Sequence, residues 1–198
     1  MRTYKVTSIQ GEATRETWEN IPKAFIDNSP WEGLTCPYKT EAQLAYNDEY
    51  LFVHLKTDET DIRAVQTERD SQVCLDSCME FFFSPDADDE KYFNFEINPN
   101  GTLLLFVCNR RIKMTPVSEP SELFEIESVI TPDGWELYYK IPFSFMKKYF
   151  NKVSPVMRAN FYKCGEKTNP EHYASWNSIP KDILDFHTPQ FFGEISFE

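Results

Sequence analysis

The sequence predicts an all-β fold: an antiparallel β-sandwich of the immunoglobulin or jelly-roll kind, with one or two short helices. Three observations carry that expectation. Aromatic residues are abundant, with 17 Phe and 10 Tyr, and rings favour pleated, half-buried surfaces. Short runs alternate polar and apolar residues at period two, as in Tyr92–Asn98. Turn formers punctuate these runs, with Pro more frequent (13) than Gly (6). At 198 residues, with no repeat and no low-complexity linker, the chain reads as one domain over 1–198.

Taken in order, a first strand is predicted over residues 4–8. Residues 9–40 are irregular, with Trp18, Phe25 and Trp31 among turn formers, and suit a segment wrapping an edge or end of a sheet. Strands over 43–47 and 50–57 flank the polar turn Asn47-Asp48-Glu49. Residues 58–75 are charged and read as a loop. Strands follow over 77–84 and 92–98, joined by an acidic turn. Pro99-Asn100-Gly101 then turns the chain into an apolar strand over 102–109. Pro132-Asp133-Gly134 joins a hairpin of 125–131 with 135–141. Helical spacing after Pro142 predicts one short helix over 143–150. A strand over 157–164, a long loop over 165–189 and a closing strand over 191–197 complete the reading.

The charge balance narrows the function classes. With 20 basic and 32 acidic residues the formal net charge is −12, which repels nucleic acid and anionic membrane surfaces. No apolar leader follows Met1, so a cytoplasmic setting is expected, or a periplasmic or secreted one if a leader was removed. No apolar window is long enough to span a membrane. The cysteines, at 36, 74, 78, 108 and 164, are odd in number and irregularly spaced, and read as free thiols rather than a disulfide framework or zinc site.

The informative constellation lies on the paired strands. Tyr92, Asn94, Glu96 and Asn98 share one face, and Phe93, Phe95 and Ile97 the other. If residue 84 pairs with 92, Glu80 lies opposite Glu96. Like charges placed so destabilise a sheet unless a cation, a metal or a held proton compensates. Arg158 is the candidate neutraliser, and it shares a face with Asn160 and Tyr162. Carboxylates, amides and a guanidinium beside aromatic rings suit the hydroxyls and C–H face of a sugar.

Asp76-Ser77-Cys78-Met79-Glu80-Phe81-Phe82 resembles the Asp-Ser-x-x-Glu-aromatic strand of family 9 carbohydrate-binding modules, within the broader DOMON-like superfamily. Asn47–Val53, Tyr92–Gly101, Arg158–Tyr162, Ser175-Trp176 and Phe192–Ile195 follow in that family's order, over roughly residues 40–198. The resemblance implies non-catalytic recognition of a mono- or oligosaccharide on a concave sheet face, linked to carbohydrate catabolism. It implies Glu80 as a ligand contact, and Asn160 and Tyr162 on the polar ligand-side strand. Asn94 falls where the family has an Arg. The two Trp that clamp the family's sugar are replaced by Val73 and by Asp185-Phe186-His187. The expected ligand-binding set is Glu80, Asn94, Glu96, Arg158, Asn160 and Tyr162, with Trp176, Phe186 and His187 shaping the rim. Trp31 reads as a core anchor, with a place over the site as the alternative.

Two other classes stay open. Glu80 and Glu96 are a carboxylate pair of the kind glycoside hydrolases use, although no leaving-group cleft is legible and hydrolysis fits a partner enzyme better. Some relatives implied by the resemblance bind haem, and the chain carries Met and His residues, without an evident axial pair. No cofactor is required, but the acidic stretches 58–61 and 86–90 offer oxygen ligands for calcium.

Overall fold

The computed structural model describes residues 1–109 and 113–197. In chain order the strands are β1 (Thr3–Ser8), β2 (Ala24–Phe25), β3 (Thr40–Tyr46), β4 (Tyr50–Thr57), β5 (Cys78–Ser84), β6 (Lys91–Ile97), β7 (Leu103–Asn109), β8 (Lys113–Pro116), β9 (Glu127–Thr131) and β10 (Gly134–Pro142). After α1 (Phe143–Tyr149) come β11 (Val156–Gly165), β12 (His172–Ser175) and β13 (Gly193–Phe197). No helix of the described residues is long and apolar enough to cross a membrane.

The strands follow one path, β8-β7-β6-β5-β11-β13-β1-β3-β4-β10-β9, with β12 on β11 and β2 on β3. β1 turns this path into two layers. Its residues Thr3–Val6 pair with β13, while Thr7 and Ser8 pair with Ala45 and Tyr46 of β3. Both pairings are parallel, an exception to the expected antiparallel order; β1 leaves one layer and enters the other without a hairpin at either edge.

Alternation builds the core. Met79, Phe81 and Phe83 of β5, Phe93, Phe95 and Ile97 of β6, and Met157, Ala159 and Phe161 of β11 point inward. They meet Leu44 of β3, Val53 and Leu55 of β4, and Leu137 and Ile141 of β10. Apolar area removed from water is the main favourable term, at about 25 cal/mol per Å². The predicted turns form as read. The Asn47 side chain accepts from the Glu49 and Tyr50 amides, and Gly101 adopts φ +74°.

Three segments were not foreseen. β8 adds an exposed strand to β7. β12 lies inside the expected 165–189 loop and pairs with the second half of β11, whose first half pairs with β13. Residues 9–21 pack Trp18 and Ile21 against Ala45 and Phe52 on the outside of the second layer. The outer face of the first layer is covered too. There Phe82, Tyr92, Tyr162 and Phe192 pack under Trp31, Ile179 and Phe186, which come from loops before β3 and after β12.

Candidate functional site

The site lies on that covered face. Glu80 pairs directly with Glu96, and Phe82 with Asn94, so the expected register between β5 and β6 forms. On the other edge of β5, Tyr162 stands beside Glu80 and Asn160 beside Phe82. Glu80, Glu96 and Phe82 line a cavity of about 280 Å³, together with Cys74 and Cys164. Trp31 and Leu34 from the loop before β3, Tyr173 of β12, and Leu184, Asp185, Phe186 and His187 form its walls.

Aromatic stacking fixes one wall. The Phe186 ring lies between Tyr162, at 4.1 Å and 14°, and Trp31, at 5.1 Å and 23°. Trp31 Nε1 donates to the Ile183 carbonyl at 2.8 Å, and Tyr173 meets the indole edge-on at 4.8 Å. His187 Nδ1 is 2.8 Å from the Tyr92 hydroxyl. Large rings with few rotamers give a wall set before a ligand arrives.

The described lining residues carry charge of one sign. Glu80 and Glu96 are 2% and 5% exposed. Glu166, Glu171 and Asp185 add three more carboxyl groups, and the described lining residues include no Lys or Arg. Burial pushes the Glu80 carboxyl well above the usual carboxylate range, and Glu96 and Glu166 push it the same way, against Lys163. Lys163 sits on the opposite face of β11. Its ammonium lies 3.0 Å from Glu59 Oε2 and 2.9 Å from His172 Nε2. The Trp135 indole and Ser77 hydroxyl also donate to Glu59, at 3.0 and 2.8 Å.

The expected site residues separate into groups. Glu80, Glu96, Phe186 and His187 line the cavity. Asn94 is buried behind it; its amide donates to Glu96 Oε1 at 2.8 Å and its carbonyl accepts from the Phe106 amide at 2.7 Å. Tyr162 backs the wall, with its hydroxyl donating to the Phe186 carbonyl at 3.1 Å. Asn160 is fully buried, and its side chain both accepts from and donates to the Asn177 backbone, at 2.7 and 3.0 Å.

Two expectations are corrected. Arg158 does not neutralise the carboxyl pair. It pairs with Ser84, four residues and about 13 Å along the strand from Glu80, and donates to the Gln190 and Phe192 carbonyls. Trp176 is not at the rim. It is buried in the central core against Phe161, and a Cβ on Gly193 would come within 2.6 Å of it. That close approach is why glycine follows Phe192. Asp76 and Ser77 prove structural: Asp76 Oδ2 accepts from the Val65 and Gln66 amides and from Asn98, while Ser77 serves Glu59.

The acidic stretches weighed for calcium have partners. Asp58 accepts from the Lys39 amide, Glu59 pairs with Lys163, and Asp86 and Asp88 pair with Lys152. Among the described residues no three His, Cys, Asp or Glu are grouped to hold a metal. Met79, Met146 and Met157 lie in the central core, away from the cavity, so they offer no axial ligand to a group bound there.

Tyr173, Glu166 and Glu171 escaped the sequence reading, and Trp31, expected first as a core anchor and only alternatively over the site, lines the cavity. Strand alternation puts 162 and 164 on the Glu80 side and so hints at Glu166. Nothing local decides between the two readings of Trp31, which arrives from more than forty residues before β5.

The family model for carbohydrate-binding family 9 matches residues 14–197. A candidate carbohydrate-binding protein from Bacteroides uniformis ATCC 8492 is similar at 27% identity and TM-score 0.88, over 100% of this chain and 99% of its own. A family 9 module from Caldicellulosiruptor kristjanssonii in complex with cellotriose is similar at 13% identity and TM-score 0.71, over 100% of this chain and 94% of its own. A family 9 module from the same organism in complex with glucose is similar at 15% identity and TM-score 0.65, over 100% and 96%. At those identities the last two speak for the fold alone. No curated protein matches the sequence.

Proposed function

The chain belongs to carbohydrate-binding family 9, and on that footing we propose that it is a non-catalytic module whose cavity over β5, β6 and β11 takes a monosaccharide or one unit of an oligosaccharide. The observation that carries this reading is a small cavity in which two buried carboxyl groups face a preset wall of rings. Its volume, about 280 Å³, lies just below the ~300–1,000 Å³ usual for drug-sized ligands, which suits one sugar ring. Glu80 and Glu96 bond hydroxyls, while Trp31, Phe186 and Tyr173 take the C–H face. Asn94 and Tyr162 hold those groups in place, and Asn160 and Arg158 tie down the covering loop. Cellotriose and glucose, bound by the two C. kristjanssonii modules, belong to the ligand class proposed here.

Catalysis fits the geometry poorly. Glycoside hydrolysis needs two carboxyls flanking the scissile bond. Glu80 and Glu96 rise side by side from neighbouring strands of one face, so both meet the ligand from the same side. The test is a thermal-shift and calorimetric screen against mono- and oligosaccharides, with and without calcium, alongside Glu80→Ala. A ligand bound only by the native state raises the melting temperature by mass action. One sugar should stabilise the protein without calcium, and Glu80→Ala should fold yet lose at least about tenfold in affinity, the scale of a lost charge-assisted bond. No shift with any sugar, or release of product from a glycan, overturns the reading.

A further inference from the structure

The cavity over β5, β6 and β11 changes character from floor to mouth. Glu80, Phe82, Glu96 and Cys164 form its floor on the strands, and all four are nearly dry. Two leucines line it further out: Leu34 is half-buried and Leu184 is 71% exposed. Single exposed leucines are ordinary on a protein surface. These two, however, are both tied to Trp31. The Leu34 amide donates to the Trp31 carbonyl at 3.3 Å, and the indole donates to the carbonyl of Ile183, the residue before Leu184, at 2.8 Å. The Tyr173 amide donates to the Leu34 carbonyl at 3.0 Å, and its ring meets the indole edge-on at 4.8 Å. Two loops and β12 therefore hold an apolar rim above the acidic floor.

Against the leucines a second pyranose fits poorly. A sugar ring needs a flat aromatic face for its C–H side and polar groups for its hydroxyls. A leucine side chain offers neither, and a hydroxyl pressed against it loses water without a hydrogen bond in return. A hydrocarbon group gives up nothing there and removes apolar surface from water. We propose that the ligand is a glycoside with an apolar aglycone: its sugar ring lies over Glu80 and Glu96, and its aglycone lies against Leu34 and Leu184. The inference rests on the sugar-binding reading and adds a substrate class to it. Carboxyl groups also stand at the mouth, among them Glu171, which accepts from the Tyr173 hydroxyl at 2.8 Å, so a disaccharide is the necessary control.

The experiment is calorimetry on the full chain with the methyl and phenyl glycosides of glucose, galactose, mannose and xylose, in both anomers, beside the free sugars and cellobiose. For at least one sugar the phenyl glycoside should bind about fivefold more tightly than the methyl glycoside, the fold-change that burying roughly 40 Å² of apolar surface confers. Its heat-capacity change on binding should be the more negative of the two. Leu184→Ser should lower the phenyl-to-methyl ratio by at least half. The Leu184 side chain is mostly in solvent, so the variant keeps the fold, and the heat-capacity comparison needs no variant. Equal affinity for phenyl and methyl glycosides, a ratio unchanged in Leu184→Ser, or cellobiose binding more tightly than phenyl glucoside overturns the inference and leaves sugar recognition standing. If no sugar or glycoside of the panel binds, sugar recognition itself falls.

Discussion

Glu80 illustrates a residue kept at a cost to stability. Its carboxyl is held well above its unfolded value, so the unfolded chain ionises first as pH rises. Between the two values the unfolded state binds fewer protons than the folded state, and stability falls with rising pH. The sign is opposite to that of a salt-bridged carboxylate. Glu80→Gln removes this group with little change of shape. It should raise the melting temperature by a few degrees at pH 7, the scale of ~1 kcal/mol in a chain this size, and leave it unchanged at pH 4. Differential scanning calorimetry at both pH values checks this. An equal change at both, or a loss at pH 7, means the carboxylate is compensated within the protein.

At the scale of elements, β11 matters most, because its partner changes midway. β13 lies along Val156–Ala159 and β12 along Tyr162–Gly165. Asn160 sits at the break and supplies to Asn177 the hydrogen bonds that a continuous strand would have supplied. The covering loop that carries Phe186 and His187 starts from that anchor. Asn160→Ala leaves the buried Asn177 amide unpaired and should cost about 1–3 kcal/mol. Urea unfolding measures the loss, and sugar affinity should fall with it although Asn160 does not line the cavity. Unchanged affinity in a destabilised variant would separate the loop from the site.

For the molecule as a whole, the two layers are joined at one end by a buried charge. Lys163 comes from β11 in the first layer, while Glu59 follows β4 and Trp135 starts β10 in the second. Desolvating such a pair is expensive, and removing one partner strands the other. Lys163→Met should destabilise by about 3–5 kcal/mol, and adding Glu59→Gln should recover much of it. Thermal denaturation of the single and double variants checks the coupling, and additive losses would mean the two groups act independently. The neighbouring His172 imidazole is held below its ordinary pKa by burial and by Lys163, so it accepts from the lysine as a neutral base.

Apart from β8 and β12, the strands from β3 onward, α1 and the Glu80–Glu96 opposition were legible because they depend on alternation and turn chemistry, which are local. Phe81 and Phe95 had to face inward, and Pro99-Asn100-Gly101 had to turn, whatever the rest of the chain did. β8 and β12 were not legible: each is four residues long, too short for period two to stand out, and β12 forms only because β11 offers an edge. The amino-acid sequence by itself determined an all-β chain with an acidic, aromatic face. Tertiary structure alone decided that Arg158 lies away from that face, that Trp176 belongs to the core, and that Trp31 stands beside Phe186. The reason is physical: which side chains meet across a cavity depends on loops and strand order, and a period of two carries no information about either.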